Sequence, residues 1–169
     1  NRIFCRLYSV FGPQHWWPAD SVFEVMVGAI LTQNTNWSNV KKAILALKEK
    51  KLLNARRLDR LTPKKLAGLI KSAGCHNVKA GRLKSFLKFF LNSYSGKIKI
   101  MGVQDLMILR KQLLAVSGVG PETADSILLY ALNKPIFVVD AYTKRIFSRH
   151  GLVKAKAEYS QVQDIFMRN

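Results

Sequence analysis

A glycine-rich turn and one carboxylate are the parts of this sequence whose residue types and spacing suggest chemistry. Gly118 and Gly120 flank Val119, and Asp140 follows a short apolar stretch further along the chain. Glycines permit positive φ angles and let backbone N–H groups approach a ligand closely. If a helix starts after the turn, its first N–H groups add to an anion-binding site. The alternative is a helical hairpin in which the glycines only form the corner.

Helices on both sides are predicted to position this turn. Before it, leucines repeat with helical spacing, and after it Pro121 suits the first position of a new helix. The apolar residues behind Pro121 recur with the spacing of a helix that has one buried face. The sequence therefore predicts a helix, a glycine hairpin and a second helix. The repeating residues are Leu106, Leu109, Leu113 and Leu114 before the turn, and Ala124, Ile127, Leu128, Ala131 and Leu132 after it.

The charge of the chain indicates a polyanionic partner. The 169 residues include 28 Lys and Arg but only 10 Asp and Glu, which gives a net charge of +18. Nucleic acid is the simplest partner for such an excess. A membrane surface is less favoured, because the lysines are spread over many segments and are not gathered on one amphipathic helix. The apolar runs also end well before the roughly 18 residues that a membrane span needs.

The amino-acid composition also limits the possible fold classes and cellular compartments. Hydrophobic residues make up 49% of the chain, enough for one core divided into two lobes. Strong strand alternation is absent, so we predict an all-α protein. Two distant cysteines, Cys5 and Cys75, favour a reducing cytoplasm and give no metal-ligand cluster. No signal peptide precedes the first helix, although the chain opens at Asn1 without a Met and a targeting segment could be missing.

The hairpin and the aspartate together resemble the helix-hairpin-helix DNA glycosylases of the endonuclease III superfamily, and the resemblance extends over nearly the whole chain. It implies a two-lobed fold, with a central lobe at residues 21–134 and a second lobe formed by residues 1–20 and 135–169. It also implies base excision repair of double-stranded DNA that contains a damaged base, by a monomer associated with the nucleoid. The matching residues are Leu113, Gly118, Val119, Gly120, Thr123, Ala124, Val139, Asp140 and Arg145.

Asp140 precedes a predicted helix over residues 141–149, and we expect its side chain to cap that helix. Cap donors and the positive helix end hold a carboxylate in its ionised form. Departure of a base leaves an oxocarbenium-like sugar, and a fixed anion beneath it stabilises the transition state. We therefore expect Asp140 to be the catalytic residue. Whether Asp140 also activates water as a general base is left open by the sequence.

The resemblance assigns Gln33 to the gap that a flipped nucleotide leaves in the duplex. Gln33 lies in the polar tip of an otherwise apolar helix. The alternative is a plain turn in which Asn36 caps the next helix, and both interpretations can hold. A later segment resembles the family's Gly-x-Tyr-Asn-x-Lys-Ala loop and supplies Asn77 and Lys79 as DNA contacts, although Cys75 and His76 depart from that pattern.

Phosphate contacts are expected at the hairpin and at the helix after Asp140. The resemblance assigns them to Gly118, Val119, Gly120 and Thr123, together with a monovalent cation at the hairpin, and it adds Lys144 and Arg145 from the basic helix. Other cations that follow the Asn-x-Lys loop are interpreted as a solvated face. These are Arg82, Lys84 and Lys88.

Two strings of residues bear on the substrate. Trp16-Trp17-Pro18 and the run from Leu31 to Thr35 are similar to the 3-methyladenine glycosylase branch of the family. A base pocket formed by Trp16, Trp17, Trp37 and Glu122 would attract a cationic alkylated purine by stacking and cation–π interactions. Packing in the core or at a hinge is the alternative for the tryptophan pair. A thymine or uracil mismatch glycosylase and a non-catalytic DNA-binding module are the alternatives for the chain, and Asp140 argues against the latter.

Glu122 stands where lyase members of the family have a Lys that attacks the sugar as a Schiff base. The resemblance therefore implies a monofunctional enzyme that uses water and leaves the strand unbroken. Many members also bind an iron–sulfur cluster through four C-terminal cysteines. The sequence to Asn169 contains no such set, so no cluster is expected here, and no cofactor other than the monovalent cation at the hairpin.

Overall fold

The protein is described by a computed structural model that covers residues 2–14 and 16–168. These residues contain helices and no strands, which confirms the predicted all-α class. A short 3-10 turn, Lys71–Ala73, precedes α6, and the helix that starts at Pro121 continues as a π-helical segment, Ile127–Ala131. The α-helices are α1 Arg2–Phe11, α2 Val22–Leu31, α3 Trp37–Glu49, α4 Ala55–Arg60, α5 Pro63–Leu69, α6 His76–Tyr94, α7 Ile98–Gly102, α8 Leu106–Leu114, α9 Pro121–Ser126, α10 Ala141–Arg149 and α11 Tyr159–Met167.

The chain divides into two compact units. The smaller unit comprises residues 1–20 and 137–169, and the larger unit comprises residues 21–136. The predicted boundary after residue 134 lies two residues before the observed one, after Ile136.

The core of the larger unit surrounds α2, which is buried on most of its sides. Nine of its ten residues are buried, and it packs against α3, α6, α9 and the π-helical segment. Phe23 of α2 stacks on Phe90 of α6 with ring centroids 6.1 Å apart, and Phe86 stacks on Phe90 at 6.0 Å. Because the aromatic residues of α6 fall one turn apart, they form a continuous stack that fixes α6 against α2.

Helix starts follow the capping signals in the sequence. The hydroxyl of Ser21 accepts from the N–H of Glu24 at 3.2 Å, and Asn36 caps α3 through Asn39. Thr62 caps α5, and Pro63 takes the first helical position. Local side chains thus satisfy N–H groups that a helix start leaves without a partner.

The two helices of the hairpin are tied together by a buried ion pair. Arg110 of α8 donates from Nε to Oδ1 of Asp125 at 2.7 Å and from Nη2 to Oδ2 at 3.1 Å. Asp125 is fully buried in α9. Such a two-point contact fixes orientation as well as distance, so it holds the helices on either side of the glycine turn.

Aromatic contacts in the smaller unit hold the connector that leads to α10. Phe137 stacks on Phe166 of α11 with centroids 3.9 Å apart, and Phe147 of α10 meets the same ring edge-on at 4.6 Å. Phe147 therefore packs inward, whereas Ile146 is 49% exposed. Every residue of α1 is exposed, including the apolar ones.

Candidate active site

The glycine turn after α8 buries its apolar centre and exposes its two glycines. The Val119 side chain is buried, whereas Gly118 and Gly120 are exposed. The N–H of Val119 donates to the Val116 carbonyl at 3.0 Å. The expected phosphate contact through the Val119 N–H is therefore corrected. This N–H is already used in the hydrogen bond to Val116 that closes the turn. Among the described residues, the N–H groups of Gly118 and Gly120 have no backbone partner, so they fit an anion better.

Gly118 has a conformation that side chains rarely adopt. Its φ is +84°, in the left-handed region that favours glycine. The aliphatic stem of Arg82 lies directly against it, in the space that a Cβ at this position would occupy. Both the backbone angle and the neighbouring side chain thus require glycine here.

The side chain of Gln33 is bonded to the hairpin. Its Nε2 donates to the Gly118 carbonyl and to the Thr123 hydroxyl, each at 2.9 Å, and its Oε1 accepts from Nη1 of Arg82 at 2.5 Å. Insertion into a duplex would have to break these three bonds. The role of Gln33 in the gap of a flipped nucleotide stays a prediction.

Thr123 contributes to this network from inside the protein. Its side chain is buried, and its hydroxyl accepts from Gln33. The expected contact between Thr123 and DNA is therefore corrected: the buried hydroxyl is not available to it. Only the backbone N–H of Thr123, in the first turn of α9, could contact a phosphate.

Lys79 is placed in the core and not on a DNA-facing surface. The residue is 2% exposed, and its Nζ donates to the carbonyls of Leu31 at 2.9 Å and Ala73 at 2.6 Å. The prediction that Lys79 contacts DNA is wrong for this conformation, because the ammonium is enclosed and already bonded. Its role is structural: it caps the C-terminal end of α2 and the chain just before Gly74.

Replacement of this buried cation should destabilise the protein. Lys79→Met leaves two enclosed carbonyls without their donor, and we expect a loss of about 2–4 kcal/mol in the free energy of unfolding. Urea denaturation measures it, with the exposed Lys88→Met as the matched control, for which a change within about 0.5 kcal/mol is expected. Equal stabilities of the two variants would contradict the structural role.

The difference in the free energy of unfolding between the native protein and Lys79→Met is expected to depend on pH. Burial lowers the pKa of the Lys79 ammonium below 10.5, and the charge of Arg82 adds to this effect while Cys75 opposes it. Between the lowered value and 10.5 the unfolded chain binds more protons than the folded protein, so the contribution of Lys79 to stability rises with pH. The stability difference between the native protein and Lys79→Met should therefore widen from neutral pH towards about pH 10.

Asp140 caps α10 as expected. Its Oδ1 accepts from the N–H of Thr143 at 2.7 Å, and the residue is half-buried. The connector before it is fixed by α11, because the N–H of Val139 donates to the Tyr159 hydroxyl at 3.3 Å and the Phe137 carbonyl accepts from Gln163 at 2.7 Å. The carboxylate is thus held at the positive end of a helix on a connector bonded to a second helix.

The basic residues after Asp140 lie on the same helix. Lys144 is half-buried and Arg145 is exposed. The Arg145 guanidinium lies 4.9 Å from the centroid of the Tyr142 ring, a cation–π distance that leaves the cation at the surface. Both positions are compatible with the expected phosphate contacts, which stay predictions.

The residues expected to form a base pocket belong to both units. Trp16 is 66% exposed and Trp17 is half-buried, and both lie in the smaller unit. Trp37 is half-buried at the start of α3, and Glu122 is exposed in the first turn of α9. Their role in a pocket stays a prediction, as does the DNA contact of Asn77, which is exposed at the start of α6.

Arg82 and Lys84 differ from the predicted solvated face. Both are half-buried. Arg82 bonds Gln33, and the Nζ of Lys84 bonds the side chain and carbonyl of Asp59 and, at 3.2 Å, the Leu61 carbonyl. Lys84 thus reaches carbonyls at the end of α4, and Arg82 reaches a side-chain amide 49 positions away in the chain. Helical periodicity reveals neither contact.

The described residues include no group of three or more His, Cys, Asp or Glu side chains that could hold a metal. Cys5 and Cys75 are exposed and form no disulfide. These two are the only cysteines of the sequence, and the expected absence of an iron–sulfur cluster stays a prediction. No helix within residues 2–14 and 16–168 has the length and apolar character to cross a bilayer.

The chain is similar in sequence and structure to DNA repair proteins. Residues 27–169 match the HhH-GPD superfamily of base excision DNA repair proteins. The chain is 48% identical over 169 residues to a Methanocaldococcus jannaschii protein named as a candidate DNA repair glycosylase, covering 99% of this chain and 77% of that protein. It is 32% identical over 138 residues to Thermotoga maritima endonuclease III, covering 79% and 59% of the two chains. A structure of H. pylori 3-methyladenine DNA glycosylase bound to 1,N6-ethenoadenine matches with a TM-score of 0.85 at 28% identity, covering 99% and 80%.

Proposed function

The chain belongs to the HhH-GPD superfamily of base excision DNA repair proteins, and on that premise we propose that it is a monofunctional DNA glycosylase that excises 3-methyladenine or another alkylated purine. The observation that carries the proposal is the Asp140 carboxylate, fixed as the cap of α10 in a chain with a net charge of +18. A non-catalytic DNA-binding module would not need a carboxylate at this position.

The reaction breaks the bond between the base and C1′ of its sugar. The base leaves with the electron pair of that bond, and the sugar develops positive charge that the anion of Asp140 stabilises. Water then adds to C1′ and releases a proton, which yields the free base and an abasic site. A base that is already cationic leaves more easily, so an alkylated purine makes little demand on a general acid.

Glu122 supports hydrolysis without strand cleavage. A lyase needs an amine that attacks C1′ and forms a Schiff base. At the position where lyase members of the family have that Lys, this chain has an exposed Glu, flanked by Pro121 and Thr123. A carboxylate forms no Schiff base, so water is the nucleophile in the proposal.

Two observations support an alkylated purine as the substrate. The run from Leu31 to Thr35 and the Trp16-Trp17-Pro18 segment are similar to the 3-methyladenine branch. The matching H. pylori structure is of a 3-methyladenine DNA glycosylase, at 28% identity. Electron-rich indole rings attract cationic bases through their faces, which is the role proposed for Trp16, Trp17 and Trp37.

Phosphate binding is assigned to the exposed glycines of the hairpin. The N–H groups of Gly118 and Gly120, together with the first turn of α9, would hold one strand of double-stranded DNA. A monovalent cation at the hairpin carbonyls would fit this arrangement, and the proposal requires no organic cofactor. The protein would act as a monomer in the cytoplasm, associated with the nucleoid.

Base release from methylated DNA tests the proposal. We expect free 3-methyladenine in the supernatant, and strand breaks only after alkali treatment of the DNA. Breaks without alkali, or an enzyme–DNA adduct trapped by borohydride, would contradict the monofunctional assignment. Absence of release from methylated DNA would contradict the substrate. Duplexes with thymine or uracil opposite guanine would then separate a mismatch glycosylase from a protein that only binds DNA.

A further inference from the structure

The guanidinium of Arg82 lies at the hairpin and bonds a neutral amide. Its Nη1 donates to Oε1 of Gln33 at 2.5 Å, while its aliphatic stem lies against Gly118. Arg82 is half-buried, whereas Gly118 and Gly120 are exposed. A permanently charged side chain therefore packs on Gly118, one of the two glycines whose N–H groups the proposed function assigns to a phosphate.

A phosphate is a stronger partner for this guanidinium than the amide of Gln33. The amide oxygen accepts a single hydrogen bond here, whereas a phosphate carries negative charge and can accept two parallel bonds from the guanidinium plane. A second cation lies on the same face of α6, since Lys79 precedes Arg82 by three residues. Two neighbouring positive charges raise the local attraction for an anion.

We propose that Arg82 is a phosphate-binding residue of the hairpin that Gln33 masks in the free protein, so that a DNA phosphate displaces Gln33 from the guanidinium. The inference rests on the proposed function, since it requires that duplex DNA binds at this turn. It adds a binding residue and an order of events: phosphate capture first, release of Gln33 second.

The displacement changes how strongly Gln33 is held. With Arg82 on a phosphate, Gln33 keeps only its bonds to the Gly118 carbonyl and the Thr123 hydroxyl. The bond that it loses is the charge-assisted one, which is the strongest of the three by type. Gln33 thus becomes available to the duplex only after the hairpin has engaged the strand, and the two events are coupled through Arg82.

If Arg82 had a purely structural role, the effects of substituting Arg82 and Gln33 on DNA affinity would combine in the opposite way. If Arg82 only braces the hairpin through Gln33, loss of either partner removes the same bond. The Arg82 substitution would then matter less once Gln33 had been replaced. If Gln33 masks Arg82, the substitution matters more once Gln33 has been replaced, because the freed guanidinium gives its full attraction to the phosphate.

A double-mutant cycle in DNA affinity separates these two roles. The native protein, Arg82→Met, Gln33→Met and the double variant are measured by fluorescence anisotropy on an undamaged duplex over a range of salt concentrations. Methionine keeps the apolar stem that lies on Gly118 and removes the charge. We expect Arg82→Met to weaken binding about tenfold and to lower the salt slope by about 0.9, the value for one phosphate contact. In the Gln33→Met background its effect should be larger by on the order of threefold.

Two control variants accompany the cycle: one removes a different positive charge from α6, and the other keeps the charge of Arg82. Lys84→Met removes one positive charge from α6, but its ammonium is bonded to Asp59 and the Leu61 carbonyl, and its salt slope should equal that of the native protein. Arg82→Lys keeps the charge and should keep the salt slope even if the affinity falls. Thermal unfolding of each variant shows whether it is folded at the temperature of the measurement.

Three results would overturn the inference. They are an unchanged salt slope in Arg82→Met, an effect of Arg82→Met that is equal or smaller in the Gln33→Met background, and an equal slope loss in Lys84→Met. The cycle uses undamaged DNA and involves no base release. Failure of the excision assay would therefore contradict the proposed function and leave the cycle interpretable, while failure of the cycle would leave the excision result intact.

Discussion

Asp140→Asn is expected to lower the rate of base release by about 10³-fold or more, while the protein still binds DNA that contains an abasic site. The substitution removes the negative charge that stabilises the sugar cation. It keeps the cap of α10, because an asparagine oxygen accepts from the N–H of Thr143 as the carboxylate oxygen does at 2.7 Å. Single-turnover excision and equilibrium binding, measured on the same preparation, report the two effects separately.

The chain contains a matched control for this substitution. Asp105 also caps a helix, α8, and accepts from the N–H groups of Met107 and Ile108. The bond from Ile108 lowers the pKa of the Asp105 carboxyl, with desolvation acting against it. Asp105→Asn removes the same charge from a helix start in the larger unit and should leave the excision rate nearly unchanged. If Asp140→Asn loses DNA binding in parallel with excision, the role of Asp140 is that of a cap.

Gly118→Val is expected to abolish most of the affinity for duplex DNA. Valine is β-branched and strongly disfavours the φ of +84° at this position, and its side chain would enter the space that Arg82 occupies. The turn must therefore rearrange, and with it the Gly118 carbonyl that Gln33 bonds at 2.9 Å. We expect a loss of about 2–4 kcal/mol in the free energy of unfolding together with at least about a hundredfold loss in affinity.

Gly120→Ala is the comparison within the same turn. Gly120 has a φ of −91°, and a Cβ there meets no atom within 4 Å. Its free energy of unfolding should stay within about 0.5 kcal/mol of the native value. Urea denaturation measures the free energy of unfolding of Gly118→Val and Gly120→Ala, and fluorescence anisotropy measures their affinity for duplex DNA. A Gly118→Val protein with native stability and native DNA affinity would show that the backbone geometry of the turn does not matter for binding.

Features that depend on neighbouring residues were predicted well from the sequence. The bounds predicted for α10 agree with the structure, because Asp140 caps it directly before its first residue and His150 and Gly151 follow its last. Asn36 caps α3 and Asp140 caps α10, as their positions before apolar repeats indicated. The all-α class followed from the same helical periodicity and is confirmed.

Features that depend on distant residues were not predictable in the same way. The bond between Gln33 and Arg82 joins positions 49 apart in the chain, and that between Gln33 and Gly118 joins positions 85 apart. Lys79 matches a family motif, and a lysine is usually exposed, so the sequence suggested DNA contact. Its burial depends on two carbonyls, those of Leu31 and Ala73, whose positions are set by the packing of α2 and the turn before α6.

The π-helical segment Ile127–Ala131 is a further difference from the prediction. The sequence indicated a regular helix after the hairpin, since apolar residues recur with its period. The structure widens the last turns so that Ile127, Leu128 and Ala131 are all buried. This segment packs against α2, and single π-helical turns of this kind occur inside otherwise regular helices.

The contacts that fix the connector before Asp140 bear on the order in which the protein matures during synthesis. The Phe137 carbonyl and the Val139 amide are bonded by Gln163 and Tyr159, residues that the ribosome adds 20 to 26 positions later. The larger unit is complete in the chain by residue 136 and can begin to fold while the rest is still inside the exit tunnel. The aspartate acquires its fixed position only after α11 has emerged. The residues of the hairpin are therefore all synthesised before those that fix the position of Asp140.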